Sequence, residues 1–308
     1  MKLIFNYVLI FSSFICFSQD IKYTVQDLSI NRFIDGTLLT PQNGTKPTLV
    51  IIIADSGPTD RNGNQNFQNN NALKKLAEEL SNQHIATFRY DKRIVKQIRK
   101  GNVDAHISFD DFITDANTVI EYFKTQNNYS KIVVIGHGQG SLVGLAASKV
   151  NVDQFISIAG SGKTIDEVII DQITQMDPAL EKSTKQAFES LKKGKIVKDY
   201  PQALGSIFSE DVQPFMMSWI KYNPQDLIKD LTIPTLIING TKDLQVPITE
   251  AQLLKEAASH AELKIIDNMN HVLFIIEGKE LENSKSYNES FRPISVDLIN
   301  EIVGFITN

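Results

Sequence analysis

The sequence predicts an α/β fold in which a mostly parallel central sheet carries helices on both faces. The first observation is a run of apolar, largely β-branched residues at 49–54, which is typical of a strand buried on both sides of a parallel sheet. The second is a regular alternation of such runs with amphipathic helical stretches. The third is a break in this alternation at 161–228, where several helices divided by prolines predict a helical cap insertion over the carboxyl ends of the strands.

The individual elements follow from local patterns in chain order. Residues 21–40 alternate polar and apolar, which predicts an N-terminal hairpin with its turn at Asp35-Gly36, and residues 41–47 form a linker. Apolar side chains at helical spacing predict the first helix, at 71–82. Further helices are predicted at 109–126, 139–150, 248–259 and 294–306. Short apolar runs predict strands at 49–54, 85–90, 131–135, 155–159, 235–239 and 263–266.

The composition excludes several classes of protein. The chain has 308 residues, a formal net charge of −5 and no long basic run, whereas a nucleic-acid-binding protein needs a positive face. Cys16 is the only cysteine, which excludes an internal disulfide framework and a multi-cysteine metal site. The length fits one large α/β domain with an insertion, or two smaller domains.

Residues 1–18 have the pattern of a secretory signal peptide. Lys2 precedes a mostly apolar run that ends at Phe17, and Ser18 is a small residue before a polar stretch. The run is shorter than the roughly 20 apolar residues that a membrane-spanning helix needs. We expect cleavage after Ser18 and a secreted or periplasmic protein of one domain, residues 19–308, without a stable membrane anchor. An uncleaved anchor is the alternative.

The most informative segment is Gly136-His137-Gly138-Gln139-Gly140, which joins a predicted strand to a predicted helix. This is the context of a nucleophile elbow, G-x-S-x-G, in which flanking glycines allow a strained turn to project a serine. The central residue here is Gly138, so the nucleophile position has no side chain. A phosphate-binding loop is the alternative, but the glycine spacing is neither G-x-G-x-x-G nor that of a P-loop.

Two later loops supply an acid and a histidine. Asp243 follows the strand predicted at 235–239, and His271 follows the strand predicted at 263–266. Elbow, aspartate, histidine is one of the chain orders in which Ser-His-Asp triads are assembled. Taken singly, Asp243 is also a common turn residue and His271 a common loop residue.

These segments resemble the α/β-hydrolases, in particular exported esterases and serine-aminopeptidase-like hydrolases. The resemblance includes G-T-K-D-x-x-V-P around Asp243 and N-M-N-H-x-L-F around His271. Residues 53–64 are similar to A-G-S-G-P-T-D-R-[ND]-G-N, the oxyanion loop of one esterase subgroup. Two positions depart from the family pattern: Gly138 stands where a serine is expected, and Asp55 stands where the oxyanion loop has glycine.

The resemblance implies an α/β-hydrolase fold and a role for each of four residues. His271 is expected as the general base, Asp243 as its orienting partner, and the backbone N–H groups of Ser56 and Gln139 as the oxyanion hole. It also implies a small-molecule substrate or ligand, an acyl ester, with no cofactor and no nucleic-acid partner. We expect no metal, because no set of His, Asp and Glu residues has metal-ligand spacing.

Three functional interpretations remain open from the sequence. The chain is a secreted carboxylic-ester hydrolase by family that is inactive or strongly impaired, since the missing serine and the added carboxylate of Asp55 both oppose acyl-enzyme chemistry. Alternatively, it is a ligand- or partner-binding pseudo-hydrolase, or its His271–Asp243 pair activates water or abstracts a proton without a covalent intermediate. Ser56, Ser141 and Ser161 are poor substitutes for the serine, because an elbow brings only its central residue within reach of the base. The sequence does not decide the oligomeric state.

Overall fold

The sheet is the centre of the fold. In a computed structural model, which describes residues 22–42, 45–104 and 106–308, eight strands form one sheet in the order β1-β2-β4-β3-β5-β6-β7-β8. The strands are β1 (Tyr23–Ser29), β2 (Asp35–Pro41), β3 (Leu49–Ile53), β4 (Ala86–Tyr90), β5 (Ile132–His137), β6 (Gln154–Ile158), β7 (Thr235–Gly240) and β8 (Glu262–Ile266). Strands β3 to β8 pair in parallel, while β1 and β2 add antiparallel at one edge. This confirms the predicted fold class.

The N-terminal hairpin forms, but its turn is not where the sequence predicted it. Strand β1 pairs with β2 so that Ser29 lies opposite Asp35, and the chain reverses through residues 30–34. The Asn31 side chain holds this turn by accepting hydrogen bonds from the backbone N–H groups of Phe33 and Ile34. The prediction of a turn at Asp35-Gly36 was therefore wrong. An asparagine that hydrogen-bonds its own backbone supplied the turn instead.

Helices occupy both sides of the sheet and a separate layer beyond its carboxyl edge. Two of them, α2 and α11, lie in stretches for which no element was predicted. The helices are α1 (Ala72–Asn82), α2 (Arg93–Arg99), α3 (Phe109–Gln126), α4 (Gln139–Ala147), α5 (Ile165–Met176), α6 (Glu181–Lys192), α7 (Gly205–Phe208), α8 (Gln213–Trp219), α9 (Pro224–Lys229), α10 (Ile248–Ala257), α11 (Glu280–Ser286) and α12 (Val296–Thr307).

Two apolar cores lie on opposite faces of the sheet. The alternation along β3 sends Val50 and Ile52 to one face, where they pack with α1 and α12. Leu49, Ile51 and Ile53 face the other way and pack with α3, α4 and α10. All five side chains are buried, as expected for a parallel strand covered on both sides. The sheet is thereby a rigid support for the loops at its carboxyl edge.

Helices α5 to α9 form the predicted cap. Part of the cap has its own small core, in which Phe188 and Phe208 pack edge to face with ring centroids 5.0 Å apart. Trp219 of α8 stacks on Phe109 of α3 with centroids 5.3 Å apart, which attaches the cap to the main body. The aromatic cluster of the cap therefore serves packing, while Trp219 also borders a cavity.

Some sequence predictions fall outside the described residues. The signal peptide at 1–18 and the Asn43-Gly44 pair of the linker belong to this group, and they stay predictions. Among the residues that the structure describes, none of the helices has the length and apolar character needed to cross a membrane.

Candidate active site

The turn between β5 and α4 has the backbone of a nucleophile elbow. Gly138 adopts φ 54° and ψ −120°, a conformation that favours glycine. At Gly140 a Cβ atom would overlap the carbonyl oxygen of Ile53, so that helix α4 can approach strand β3 only with glycine there. The scaffold of the elbow is thus complete, and only its central side chain is missing.

His271 and Asp243 lie together at the carboxyl edge of the sheet, in the loops after β8 and β7. The Nδ1 atom of His271 is 2.8 Å from Oδ2 of Asp243. The other oxygen of Asp243, Oδ1, accepts hydrogen bonds from the backbone N–H groups of Gln245 and Val246. Both side chains are almost completely buried, at 2% and 1% exposure. This arrangement orients the imidazole as a triad histidine is oriented.

The carboxylate of Asp55 occupies the space that a side chain at position 138 would enter. A Cβ atom on Gly138 would overlap Oδ1 and Cγ of Asp55 and would lie 3.0 Å from its Oδ2. Oδ1 accepts a hydrogen bond of 2.8 Å from the backbone N–H of Gln139, and Oδ2 is 3.0 Å from Nε2 of His271. Asp55 therefore contacts two groups that a serine mechanism would need: the Gln139 N–H, which is a predicted oxyanion-hole donor, and Nε2 of His271.

His271 is held between two carboxylates, and this decides its charge. Burial alone would lower the pKa of His271, but the charge and hydrogen bond of Asp243, together with those of Asp55, raise it to about 10. Burial alone would raise the pKa of Asp55, but its hydrogen bond with His271 and the charge of His271 keep that pKa well below its usual range. These interactions favour the protonated, imidazolium form of His271 and the ionised form of Asp55.

Lys92 is a functional-site residue that the sequence reasoning missed. It follows strand β4, and its Nζ donates hydrogen bonds to the backbone carbonyl of Asp55 and to Oε1 of Gln139, the latter at 3.2 Å. Burial lowers the pKa of Lys92 to about 8, although the charge of Asp55 opposes this shift. The charged triplet Asp91-Lys92-Arg93 directly after a buried strand was the available signal, because such residues lie at the carboxyl edge of the sheet.

The loop after β3 is held in place by its own polar side chains. The backbone carbonyl of Ser56 accepts hydrogen bonds from Thr59 Oγ1 at 2.6 Å and from Gln65 Nε2 at 3.1 Å. Arg61 anchors the loop to Asp91 through Nη2 at 3.0 Å. Ser56, the second predicted oxyanion-hole residue, lies beside Asp55 and borders both cavities described below.

The other serines of the region are engaged elsewhere. Ser141 Oγ is 2.7 Å from Ser157 Oγ in a buried pair, and Ser161 Oγ is 2.9 Å from Glu250 Oε2. Neither has a hydrogen bond with His271 in the described part of the chain. Both hydroxyls thus contact other side chains, and Ser161 also borders the cavity under the cap.

His137 lies behind the site and completes a group that could hold a cation. Its Nε2 is 2.8 Å from the backbone carbonyl oxygen of His271. One ligand atom each of Asp55, His137 and His271 lies within 4.8 Å of the others. The spacing argument against a metal did not foresee this convergence, because the three residues come from three separate segments of the chain. The expectation that no metal binds stays a prediction.

Two cavities meet at Asp55 and His271. One, of about 470 Å³, lies on the side of the β3 loop and is lined by polar residues such as Gln65, Asn70 and Tyr287. The other, of about 220 Å³, lies under the cap and includes Leu142, Val168 and Trp219. The volume under the cap suits a small, partly apolar molecule.

Comparison with known proteins identifies the family. A family model described as BD-FAE matches residues 37–258. The chain belongs to the BD-FAE family. The matched residues include the elbow, Asp55 and Asp243, and they end before His271.

Esterases are among the proteins that this BD-FAE protein resembles. Esterase EstD from Thermotoga maritima is 26% identical over 266 residues, which cover 84% of this chain and 62% of that esterase. The chain thus spans about three fifths of the length of the relative. Among solved structures, Est1E from Butyrivibrio proteoclasticus matches 92% of this chain and 99% of its own, with a TM-score of 0.58 and 14% identity. The Pyrococcus furiosus esterase Pf2001 matches 94% and 91%, with a TM-score of 0.53 and 14% identity.

These matches establish the α/β-hydrolase fold of the BD-FAE protein and its similarity to esterases. Asp243 and His271 have the mutual contact of the acid and histidine of a serine triad. The elbow of this chain has Gly138 at its centre, with the carboxylate of Asp55 in the space that a side chain there would enter.

Proposed function

We propose that this BD-FAE protein binds a small carboxylic-ester ligand but does not form a serine acyl-enzyme. The observation that carries the proposal is the position of the Asp55 carboxylate, which fills the place of the serine side chain and accepts the N–H of Gln139. An ester carbonyl therefore meets a negative charge where its own oxyanion would need a donor.

Loss of serine chemistry is large in magnitude. Removing the nucleophile of a serine protease lowers kcat by about 10⁶, and the remaining rate comes from binding and the oxyanion hole. Here the oxyanion hole is also obstructed, because one of its two predicted donors is engaged by Asp55. Both effects support a chain that is inactive or strongly impaired toward esters.

General-base chemistry by the His271–Asp243 pair is the less favoured alternative. A general base needs a free lone pair on Nε2, but Nε2 of His271 faces Oδ2 of Asp55 at 3.0 Å and carries a proton in the resting state. Water therefore has no unprotonated nitrogen to meet until Asp55 loses its charge.

A ligand-binding role is supported by the intact surroundings of the site. The cap, the cavity beneath it and the oriented imidazole all persist although the nucleophile is gone. The Est1E structure has also been solved with ferulic acid bound, so feruloyl and short aryl esters are the first ligands to test by calorimetry.

Four chains test the proposal: the protein itself, Gly138→Ser, Asp55→Gly and the double variant. Each is assayed on short aryl esters and labelled with a fluorophosphonate probe. We expect labelling and turnover from the double variant alone, with turnover at least about 10³-fold above the unmodified chain. Gly138→Ser alone stays silent because its side chain overlaps Asp55.

A contrary outcome is equally clear. Ester turnover by the unmodified chain that disappears in His271→Ala would show that the protein is an esterase without the serine. Labelling of the unmodified chain at Ser141 or Ser161 would show that another serine has taken over.

A further inference from the structure

We propose that Asp55 is a catalytic nucleophile of this chain and attacks a carbon atom of a small epoxide, giving an alkyl ester that water then hydrolyses to a diol. This goes beyond the proposed ester-binding function and stands independently of it. It follows from where the carboxylate lies, which groups contact its two oxygens, and what its charge does to His271.

The two oxygens of Asp55 have different surroundings. Oδ1 accepts the Gln139 N–H at the mouth of helix α4, and Oδ2 lies 3.0 Å from His271 Nε2. A carboxylate nucleophile requires one oxygen to bond with the substrate and the other to accept a donor when Cγ becomes tetrahedral. Oδ1 of Asp55 already has a donor in the Gln139 N–H, and Asp55 borders both cavities at the site.

Gly138 is what makes this placement achievable. Any larger residue at 138 would overlap the carboxylate, so the missing elbow side chain and the added acid form one arrangement. The nucleophile has in effect moved from the loop after β5 to the loop after β3. Asp243 and His271 keep the positions in which they would serve a serine.

The chemistry of a carboxylate selects a saturated carbon rather than an ester carbonyl. Attack of Asp55 on an ester carbonyl would give a tetrahedral adduct from which the Asp55 carboxylate leaves more readily than the alkoxide. That adduct would therefore revert to the ester. Attack on a strained C–O bond gives a stable alkyl ester, because ring opening is not readily reversed.

In the first step, Oδ2 of Asp55 forms a bond with an epoxide carbon and the C–O bond of the ring breaks. The electron pair of that bond stays on the epoxide oxygen, which takes the Nε2 proton of His271. The products are a hydroxyalkyl ester of Asp55 and a neutral imidazole. Nε2 of His271 lies 3.0 Å from Oδ2 of Asp55, next to the reacting oxygen, and its N–H is the donor that this step needs.

The first step also prepares the second. Esterification removes the negative charge of Asp55, which lowers the pKa of His271 and leaves Nε2 free to accept a proton from water. The hydroxide adds to Cγ, and the oxyanion on Oδ1 is held by the Gln139 N–H. The Cγ–Oδ2 bond breaks, the diol oxygen takes a proton from His271, and the remaining carboxylic proton returns to Nε2.

The cavity under the cap suits a substrate of this class. Its volume is about 220 Å³ and it borders Asp55 and His271 directly. Leu142, Val168 and Trp219 supply an apolar lining. A small epoxide with an alkyl or aryl substituent matches this combination.

The test uses the whole protein, treated with a chelator, and two probes, propylene oxide and styrene oxide. We expect intact-protein mass spectrometry to show one adduct per chain, which peptide mapping places on Asp55, and we expect diol release. In a single turnover in heavy-oxygen water, the label should enter the Asp55 carboxylate and not the diol.

Variants separate the steps. In Asp55→Asn, diol release should fall by about 10⁴-fold or more, as for loss of a covalent nucleophile. In His271→Gln, which lacks both the acid of the first step and the base of the second, adduct formation should slow, any adduct formed should persist, and diol release should fall by about 10²–10⁴-fold. Asp297→Asn, the same change at an exposed position of α12, should leave both unchanged.

Several results would overturn the proposal. These are the absence of both adduct and diol with both probes, an adduct on a different residue, heavy oxygen in the diol of the first turnover, or a reaction that needs added Zn²⁺. The labelling results come from the unmodified chain, so they decide the matter even if a variant fails to fold. Ester turnover by the unmodified chain would contradict only the proposed ester-binding function.

Discussion

The active site has two halves, the loops after β7 and β8 and the loops after β3 and β5, and only the first half keeps the contacts of a serine triad. The loops after β7 and β8 keep an aspartate and a histidine in ordinary triad contact, with Nδ1 of His271 2.8 Å from Asp243. The loops after β3 and β5 differ from a serine triad. The loop after β3 carries the carboxylate of Asp55, and the elbow after β5 has no side chain at Gly138.

This comparison shows that the histidine and its acid can keep their contact while the nucleophile position and the oxyanion loop change. A triad imidazole has an orienting acid at one nitrogen and exchanges a proton with a second group at the other nitrogen. That second group need not come from the elbow. Here Asp55 supplies it from the loop after β3, the strand next to β5, at 3.0 Å from Nε2. The base and its acid thus form one unit, and the nucleophile position with the oxyanion loop forms another.

The substitution with the strongest predicted consequence adds a side chain to the elbow, in the half of the site that contains Asp55. Gly138→Ser should lower the free energy of unfolding by about 2–6 kcal/mol, from backbone strain at positive φ together with overlap with Asp55. In the Asp55→Gly background, the same change should cost about 1–3 kcal/mol less, because only the overlap disappears. Urea unfolding of the four chains measures this coupling, and additive effects would contradict the described position of Asp55.

The next effect compares the two acids through the histidine that they share. Asp55→Asn should lower the pKa of His271 by about one to three units, since one of its two negative neighbours becomes neutral. Nuclear magnetic resonance of histidine-labelled protein measures the shift, with Asp297→Asn as the matched control. An unchanged His271 pKa would mean that the carboxylate of Asp55 does not face the imidazole.

The same substitution predicts a change in the pH dependence of stability. The folded pKa of His271 lies above its unfolded value near 6.5, so its stabilisation is complete below that pH and is lost as the pH rises toward about 10. In Asp55→Asn the folded pKa of His271 is lower, so the loss should be smaller in total and should be complete at a lower pH. Unfolding at several pH values shows whether the difference between the two chains has this sign.

The smallest effect concerns a serine outside both halves. Ser141→Ala should cost about 0.5–1.5 kcal/mol through the lost hydrogen bond with Ser157. It should leave fluorophosphonate labelling of the Asp55→Gly, Gly138→Ser chain unchanged. Ser259→Ala, at an exposed position after α10, is the control for stability. Loss of labelling would make Ser141 a reactive residue.

Much of the fold and the ordinary half of the site follow from local patterns. Helix α3 has the predicted bounds, and the apolar run of β3 is buried on both faces as expected. Asp243 and His271 could be paired from motif and chain order alone, because both follow strands that end at the same edge of the sheet.

What could not be predicted depends on where side chains point across that edge. The sequence indicated that Asp55 opposes acyl chemistry, but not that its carboxylate reaches both Gln139 and His271. Lys92 was missed for the same reason, since its contact is with the carbonyl of a residue 37 positions away. The hairpin turn was misplaced because Asn31 competes with Asp35-Gly36 as a turn former, and propensity does not rank the two.

The overlap between a side chain at position 138 and the Asp55 carboxylate also makes these two positions interdependent in any redesign of the site. A side chain at position 138 and Asp55 in its contact with His271 cannot be accommodated together. A library that randomises both positions should therefore yield folded chains with a side chain at position 138 mainly where position 55 is no longer aspartate.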